Sequence, residues 1–204
     1  MTKCSLYNKS IFLIKILFIY LIFFTKSFGI ENNKIENITE GNENAKIEIL
    51  VYESLTCPHC ATFHKEIYPS LKKDFIDKGL VKIEFKSFPL DLASLNASKI
   101  AHCKNDGKPD ILHFLYNNQD IWAKGETIEE INLNLKKIIN KGNFGINIKK
   151  CINNKKIEDR ILEERIESVK KFEINSTPTL IINNKKFDKP LTYKNLKKAI
   201  EKLI

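Results

Sequence analysis

From residue 45 onward, apolar and polar positions alternate in a pattern that reads strand, helix, strand, several helices, two strands and a helix. Residues 46–53 (KIEILVYE) set Ile47, Ile49 and Val51 on one side and Leu50 and Tyr52 on the other, as in a short strand buried on both faces. Cys60, Phe63, Ile67, Leu71 and Phe75 then recur at intervals of three and four. That spacing predicts a helix over 58–78, bent at Pro69 and stopped at Gly79. Residues 80–88 (LVKIEFKSF) place Val81, Ile83 and Phe85 against Lys82, Glu84 and Lys86, a half-buried strand. Strand, helix and strand in so short a span make a right-handed parallel crossover unit.

Over 91–172 the pattern offers helices and no strand. One runs over 112–122. A second opens on the capping pair Thr127 and Glu130 and carries Ile131, Leu135, Ile138 and Ile139, and a longer one is striped by Ile157, Ile161, Leu162, Ile166 and Val169. Turns fall at 105–109 and 141–145, and Trp122 reads as core packing. Residues 177–183 (TPTLIIN) form a further strand, Asn183 and Asn184 a hairpin turn, and 186–188 an edge strand halted by Pro190. Thr192 caps a last amphipathic helix with Leu196, Ala199, Ile200 and Leu203 inside. The expected organisation is one α/β domain built from 45–90 and 173–204, an inserted helical domain over 91–172, and an exposed leader over 30–44, which is rich in Asn and Glu and has no periodicity.

Residues 1–29 hold four lysines and no acid, an apolar core over 16–24, and small residues at Ser27 and Gly29. This pattern predicts a cleaved secretory signal peptide. Its apolar core is shorter than the about 20 residues a spanning helix needs. Export would remove Cys4 and leave Cys57, Cys60, Cys103 and Cys151, an even number in a compartment where disulfides persist. The formal charge of +9 would point to nucleic acid or an anionic membrane if it were clustered. The lysines are instead interleaved with acids, Asn and Ile, so no nucleic-acid partner is expected.

The stretch Thr56-Cys57-Pro58-His59-Cys60 joins the first strand to the first helix. Two cysteines separated by two residues can form a redox-active pair. Cys57 falls just before the helix, where unpaired backbone N–H groups and the positive end of the helix dipole favour a thiolate. Pro58 suits the first helical position, and His59 is placed to donate a hydrogen bond or positive charge to the Cys57 sulfur. Cys60 faces inward. A zinc site would need two further ligands, and neither Cys103 nor Cys151 belongs to a second Cys-x-x-Cys, so no metal and no cofactor are expected. Cys103 and Cys151 are expected to form a structural disulfide. The alternative, a second redox pair, lacks a near partner or a helix-start setting. His64, His102 and His113 are scattered and receive no site.

In this order of elements, Cys57-Pro58-His59-Cys60 at a helix start and Thr177-Pro178-Thr179 opening a late strand resemble the DsbA-like branch of the thioredoxin superfamily over residues 47–204. The resemblance implies a thioredoxin fold, a central mixed sheet flanked by helices, with an inserted helical domain. It implies a thiol:disulfide oxidoreductase whose Cys57–Cys60 disulfide passes to a substrate through a mixed disulfide at Cys57, with Cys60 as the buried partner. It also implies a cis Thr177–Pro178 bond that sets the Thr177 backbone beside Cys57 for pairing with an extended substrate. The implied partners are reduced secreted or periplasmic proteins and a membrane reoxidase of the DsbB type, for a monomer in the periplasm. An isomerase or reductase, and a non-catalytic thioredoxin-fold binding or holdase module, are the other readings. In many relatives an acidic residue lies six positions before the first cysteine. Here that position is Val51, with Glu48 and Glu53 nearby, so proton supply to Cys60 has no assigned residue.

Overall fold

The computed structural model describes residues 34–204, so the expected signal peptide, Cys4 and the first residues of the expected leader lie outside it. Strands β1 (Ile38–Gly41), β2 (Ile47–Glu53), β3 (Val81–Ser87), β4 (Thr179–Ile182) and β5 (Lys185–Lys186) form a mixed sheet in the order β1-β3-β2-β4-β5. β2 and β3 are parallel, Ile47 lying opposite Val81 and Glu53 opposite Ser87. The other pairings, β1 with β3, β2 with β4 and β4 with β5, are antiparallel. β2 takes the centre because it is apolar on both sides, and Ile47, Ile49 and Val51 are almost completely excluded from water.

The first helix, α1, runs continuously through residues 58–76 but is not uniformly α-helical. Pro58–Thr62 and Tyr68–Leu71 are α-helical, whereas Phe63–Ile67 and Lys72–Ile76 are wide π turns. Proline removes a backbone donor and crowds the carbonyl four residues back. The π turn just ahead of Pro69 shifts the bonding by one residue, the Tyr68 N–H donating to the Phe63 carbonyl. Cys60, Phe63, Leu71 and Phe75 are all buried along this helix.

The inserted segment consists of α2 (Leu92–Ala101), α3 (Asp110–Asn117), α4 (Gln119–Trp122), α5 (Ile128–Gly142), α6 (Ile148–Ile152) and α7 (Lys155–Phe172), and α8 (Tyr193–Glu201) closes the chain. The single helix expected over 112–122 is broken at Asn118, whose side-chain amide donates to the Phe114 carbonyl. Trp122 is fully buried and its indole N–H donates to the Leu115 carbonyl. Thr127 caps α5 by accepting from the Glu130 N–H, while the Glu130 carboxylate turns to the Glu126 N–H and not back to Thr127.

Three further expectations differ from what is found. Residues 38–41 belong to the sheet and are not part of an exposed leader: Ile38 pairs with Phe85 and is buried. Gly41 makes the pairing possible at φ +108, since a Cβ there would lie 2.5 Å from the Val81 carbonyl oxygen. The polar side of β3 is not solvated either. Glu84 is buried and paired with Lys86, which also meets Glu164 of α7 at 2.7 Å. That ion pair sets the rotation of α7, so Ile157, Ile161, Glu164 and Ser168 face the protein while Ile166 and Val169 face water.

Candidate active site

The chain leaves β2 at Glu53 and reaches Cys57, the N-cap of α1, through a three-residue loop that the insertion holds in place. The Ser54 hydroxyl donates to Ser94 Oγ at 2.7 Å, and the Leu55 N–H donates to the same oxygen at 2.9 Å. Thr56 Oγ1 donates to Asp91 at 2.7 Å, and the Gln119 amide donates to the carbonyls of Leu55 and Cys57 at 2.8 and 3.0 Å. α2 and α4 therefore fix the entry to the helix that carries the cysteine pair.

Cys57 occupies the N-cap of α1 with extended backbone, and Pro58 takes the first helical position. Both cysteines are reduced in this structure. Cys57 Sγ donates to the Thr177 carbonyl oxygen at 3.3 Å, and the Thr177–Pro178 bond is cis. The Cys57 thiol is lowered to about 5. A hydrogen bond from Cys60 is the main cause, joined by the Thr177 side chain and the backbone N–H groups of Cys60 and His59, and together they overcome burial. Cys60 is pushed far up, first by burial and then by its bond to Cys57 and the charge of Glu53. The two sulfurs thus have opposite proton affinities. His59, Thr62, Phe63, Ile67, Thr177, Pro178 and Leu191 line a cavity of about 310 Å³ beside the pair.

His59 meets Cys57 through its backbone. Its N–H supports the Cys57 thiolate, and the imidazole is exposed to solvent. A disulfide joins Cys103, two residues past the end of α2, to Cys151 within α6, with a Cα–Cα distance of 5.4 Å. Among the described residues no group of three or more His, Cys, Asp and Glu side chains is arranged to hold a metal.

The sequence reading missed four residues beneath the pair. Glu53 is 3% exposed, and its Oε2 lies 2.7 Å from Nε2 of buried His64. His64 Nδ1 lies 3.0 Å from His113 Nδ1, and the His64 ring stacks on Tyr116 with centroids 4.0 Å apart. Burial holds the Glu53 carboxyl well above the usual carboxylate range and lowers His64 to about 3, so both favour their neutral forms. Two signals were present in the sequence. Val51 and Glu53 are two apart on one strand and share a face, so an acid at 53 reaches the same side of the sheet as one at 51. His64 follows Cys60 by four residues and falls on the buried stripe of α1.

A family model described as thioredoxin matches residues 33–202 of the chain. The chain is 26% identical over 180 residues to a Rickettsia typhi protein named for an inferred protein-disulfide oxidoreductase activity, covering 87% of this chain and 64% of that protein. It is 25% identical over 171 residues to disulfide bond formation protein D of Bacillus subtilis, covering 79% of this chain and 74% of that protein. Among solved structures, alpha-DsbA1 of Wolbachia pipientis superposes with a TM-score of 0.74 at 29% identity, over 82% of this chain and 90% of that one. The mixed sheet, the Cys-Pro-His-Cys helix start and the inserted helices agree with these matches, and the chain belongs to the thioredoxin family, in its DsbA-like branch.

Proposed function

We propose that this protein is an exported thiol:disulfide oxidoreductase that donates the Cys57–Cys60 disulfide to reduced proteins in the periplasm. The observation that carries the reading is the opposed pair of sulfurs: Cys57 held near 5 at a helix N-terminus beside Thr177, and Cys60 buried and held far up. A stabilised Cys57 thiolate is a good leaving group, and stabilising the reduced state makes the disulfide more oxidising. A substrate thiolate attacks Cys57 Sγ, the bond to Cys60 breaks, and a second substrate thiol releases the product from the mixed disulfide. The Thr177 carbonyl lies beside Cys57, where an extended substrate backbone can pair with it.

The names borne by the Bacillus subtilis and Wolbachia pipientis proteins support this activity. The Cys103–Cys151 disulfide and the apolar, acid-free residues 1–29 support export to an oxidising compartment. Repeated turnover requires reoxidation, which we assign to a membrane partner of the DsbB type acting on a monomer. The test is oxidation of a reduced substrate protein by the oxidised full chain. Wild type is expected to transfer its disulfide and Cys57→Ser to transfer none, and equal rates in the two would sink the reading in favour of a binding module. A reduction potential near thioredoxin's, about −270 mV, would make the protein a reductase instead.

A further inference from the structure

Breaking the Cys57–Cys60 disulfide leaves the bonding electron pair on Cys60, the sulfur that this site least tolerates as an anion. Cys60 is fully buried, so its proton must travel through the protein. We propose that Glu53, His64 and His113 form a proton relay connecting Cys60 to the surface at Glu40, a proposal that rests on the thiol–disulfide reading for its purpose.

The groups come from four different elements and meet in line. Glu53 ends β2, His64 lies in the first π turn of α1, His113 lies on α3, and Glu40 lies on β1. Successive contacts are 2.7 Å from Glu53 Oε2 to His64 Nε2, 3.0 Å from His64 Nδ1 to His113 Nδ1, and 4.0 Å from His113 Nε2 to Glu40 Oε2. At the inner end the Tyr116 hydroxyl interacts with both the Glu53 carboxyl and Cys60, and like Glu53 Oε1 it is buried without a partner at full hydrogen-bond geometry. At the outer end Glu40 accepts from the Tyr68 hydroxyl and pairs with Lys72, which also meets Asp77. The remaining walls are Phe63 of α1, Phe85 of β3 and the ring of Tyr116, so the titratable groups facing the histidines are those just named together with Cys57.

Each imidazole uses its two nitrogens in opposite roles, which is what a relay requires. Once Glu53 has given its proton to Cys60, His64 Nε2–H donates to the carboxylate and His113 Nδ1–H donates to His64 Nδ1, leaving His113 Nε2 a buried, unpartnered acceptor 4.0 Å from Glu40 Oε2. A proton arriving at that nitrogen shifts each hydrogen one place inward: His113 Nδ1–H passes to His64 Nδ1, and His64 Nε2–H passes to Glu53 Oε2. This restores the neutral Glu53 that protonated Cys60 through the Tyr116 hydroxyl as the S–S bond broke. One solvent proton is consumed and one Cys60 thiol is formed. Reoxidation runs the same transfers outward and returns both rings to their starting tautomers. Burial disfavours a charged His64, so the hand-over there is concerted.

The experiment is reduction of the oxidised full chain by dithiothreitol, followed in a single turnover for wild type, His113→Ala and His113→Gln, with thermal midpoints measured alongside. Dithiothreitol reduces the disulfide whether or not the protein is an oxidase, so failure of the functional reading leaves this result intact. Both variants are expected to be slower by about tenfold or more, within the range of general acid–base effects. Added imidazole is expected to restore His113→Ala, which leaves a space for it, and not His113→Gln, which keeps a hydrogen bond to His64 but cannot pass a proton. If His113→Ala does not fold, the rate of His113→Gln decides alone. Reduction of the folded variants at the wild-type rate, or a slow His113→Ala that imidazole leaves unchanged, would overturn the relay.

Discussion

The carbonyl oxygen of Thr177 lies 3.3 Å from the sulfur of Cys57, although 120 residues separate them in the chain. Two distant segments thus build one reactive position, and the proton affinity of Cys57 depends on both. Its largest single support is nevertheless Cys60. The thiolate of reduced wild type, followed by its ultraviolet absorbance, should titrate with a midpoint of about 5. Cys60→Ala should move that midpoint upward while leaving it below the free-thiol value of about 8.5, because Thr177 and the backbone N–H groups remain. An unmoved midpoint would show that Cys60 does not supply the main bond.

The same depression makes the stability of the reduced form depend on pH. A group whose folded value is depressed contributes stability above its unfolded value, about 8.5 for a thiol, and loses that contribution as pH falls through about 5. Urea unfolding of the reduced and oxidised chains should therefore show the reduced form gaining on the oxidised form between pH 4 and pH 8, about the span of this titration. A constant difference across that span would contradict a stabilised Cys57 thiolate.

Glu53 has the opposite sign. Its folded value is raised by burial, so its protonated form contributes stability in acid that is lost as pH rises through the folded value. Glu53→Gln removes the titration. The thermal midpoint of Glu53→Gln, relative to wild type, should rise with pH, and a difference independent of pH would place the Glu53 carboxyl in an unperturbed setting.

Much of this site was legible in the sequence, and the rest was hidden for identifiable reasons. β2, β3 and α1 announce themselves by period, and Cys57-Pro58-His59-Cys60 stands out by spacing. β1 is four residues long with Ile38 as its anchor, too short to show alternation. α2 is buried on nearly all sides and built from small residues, so it has no polar face to contrast with an apolar one. Glu53 was passed over because position was counted along the chain, whereas a strand side chain is placed by parity. For His59 the residue type pointed to the ring, and the contact of its backbone N–H with Cys57 was not legible from residue type.

Removing the second disulfide should separate stability from chemistry. By the chain-entropy relation, a crosslink over 48 residues is worth about 4 kcal/mol. The double variant Cys103→Ala with Cys151→Ala is expected to lose stability up to that amount while the Cys57 midpoint stays in place. A shifted midpoint would mean that the crosslink also positions Asp91 and Ser94, which hold the loop before Cys57.

The wide turns of α1 have a consequence for how this chain can change in length. A π turn holds one residue more than the α turn it replaces, and each helical residue rotates the helix by about 100°. Deleting one residue within Phe63–Ile67 would let the turn close to α-helix with one residue fewer, so that everything after it stays in phase with Cys60. Tyr68, Leu71 and Phe75, all buried now, would keep their places in the core, whereas a deletion in the α-helical Pro58–Thr62 would rotate them by about 100°. The wide turns are therefore the places where α1 can lose a residue while its reactive start and its packed end stay in phase.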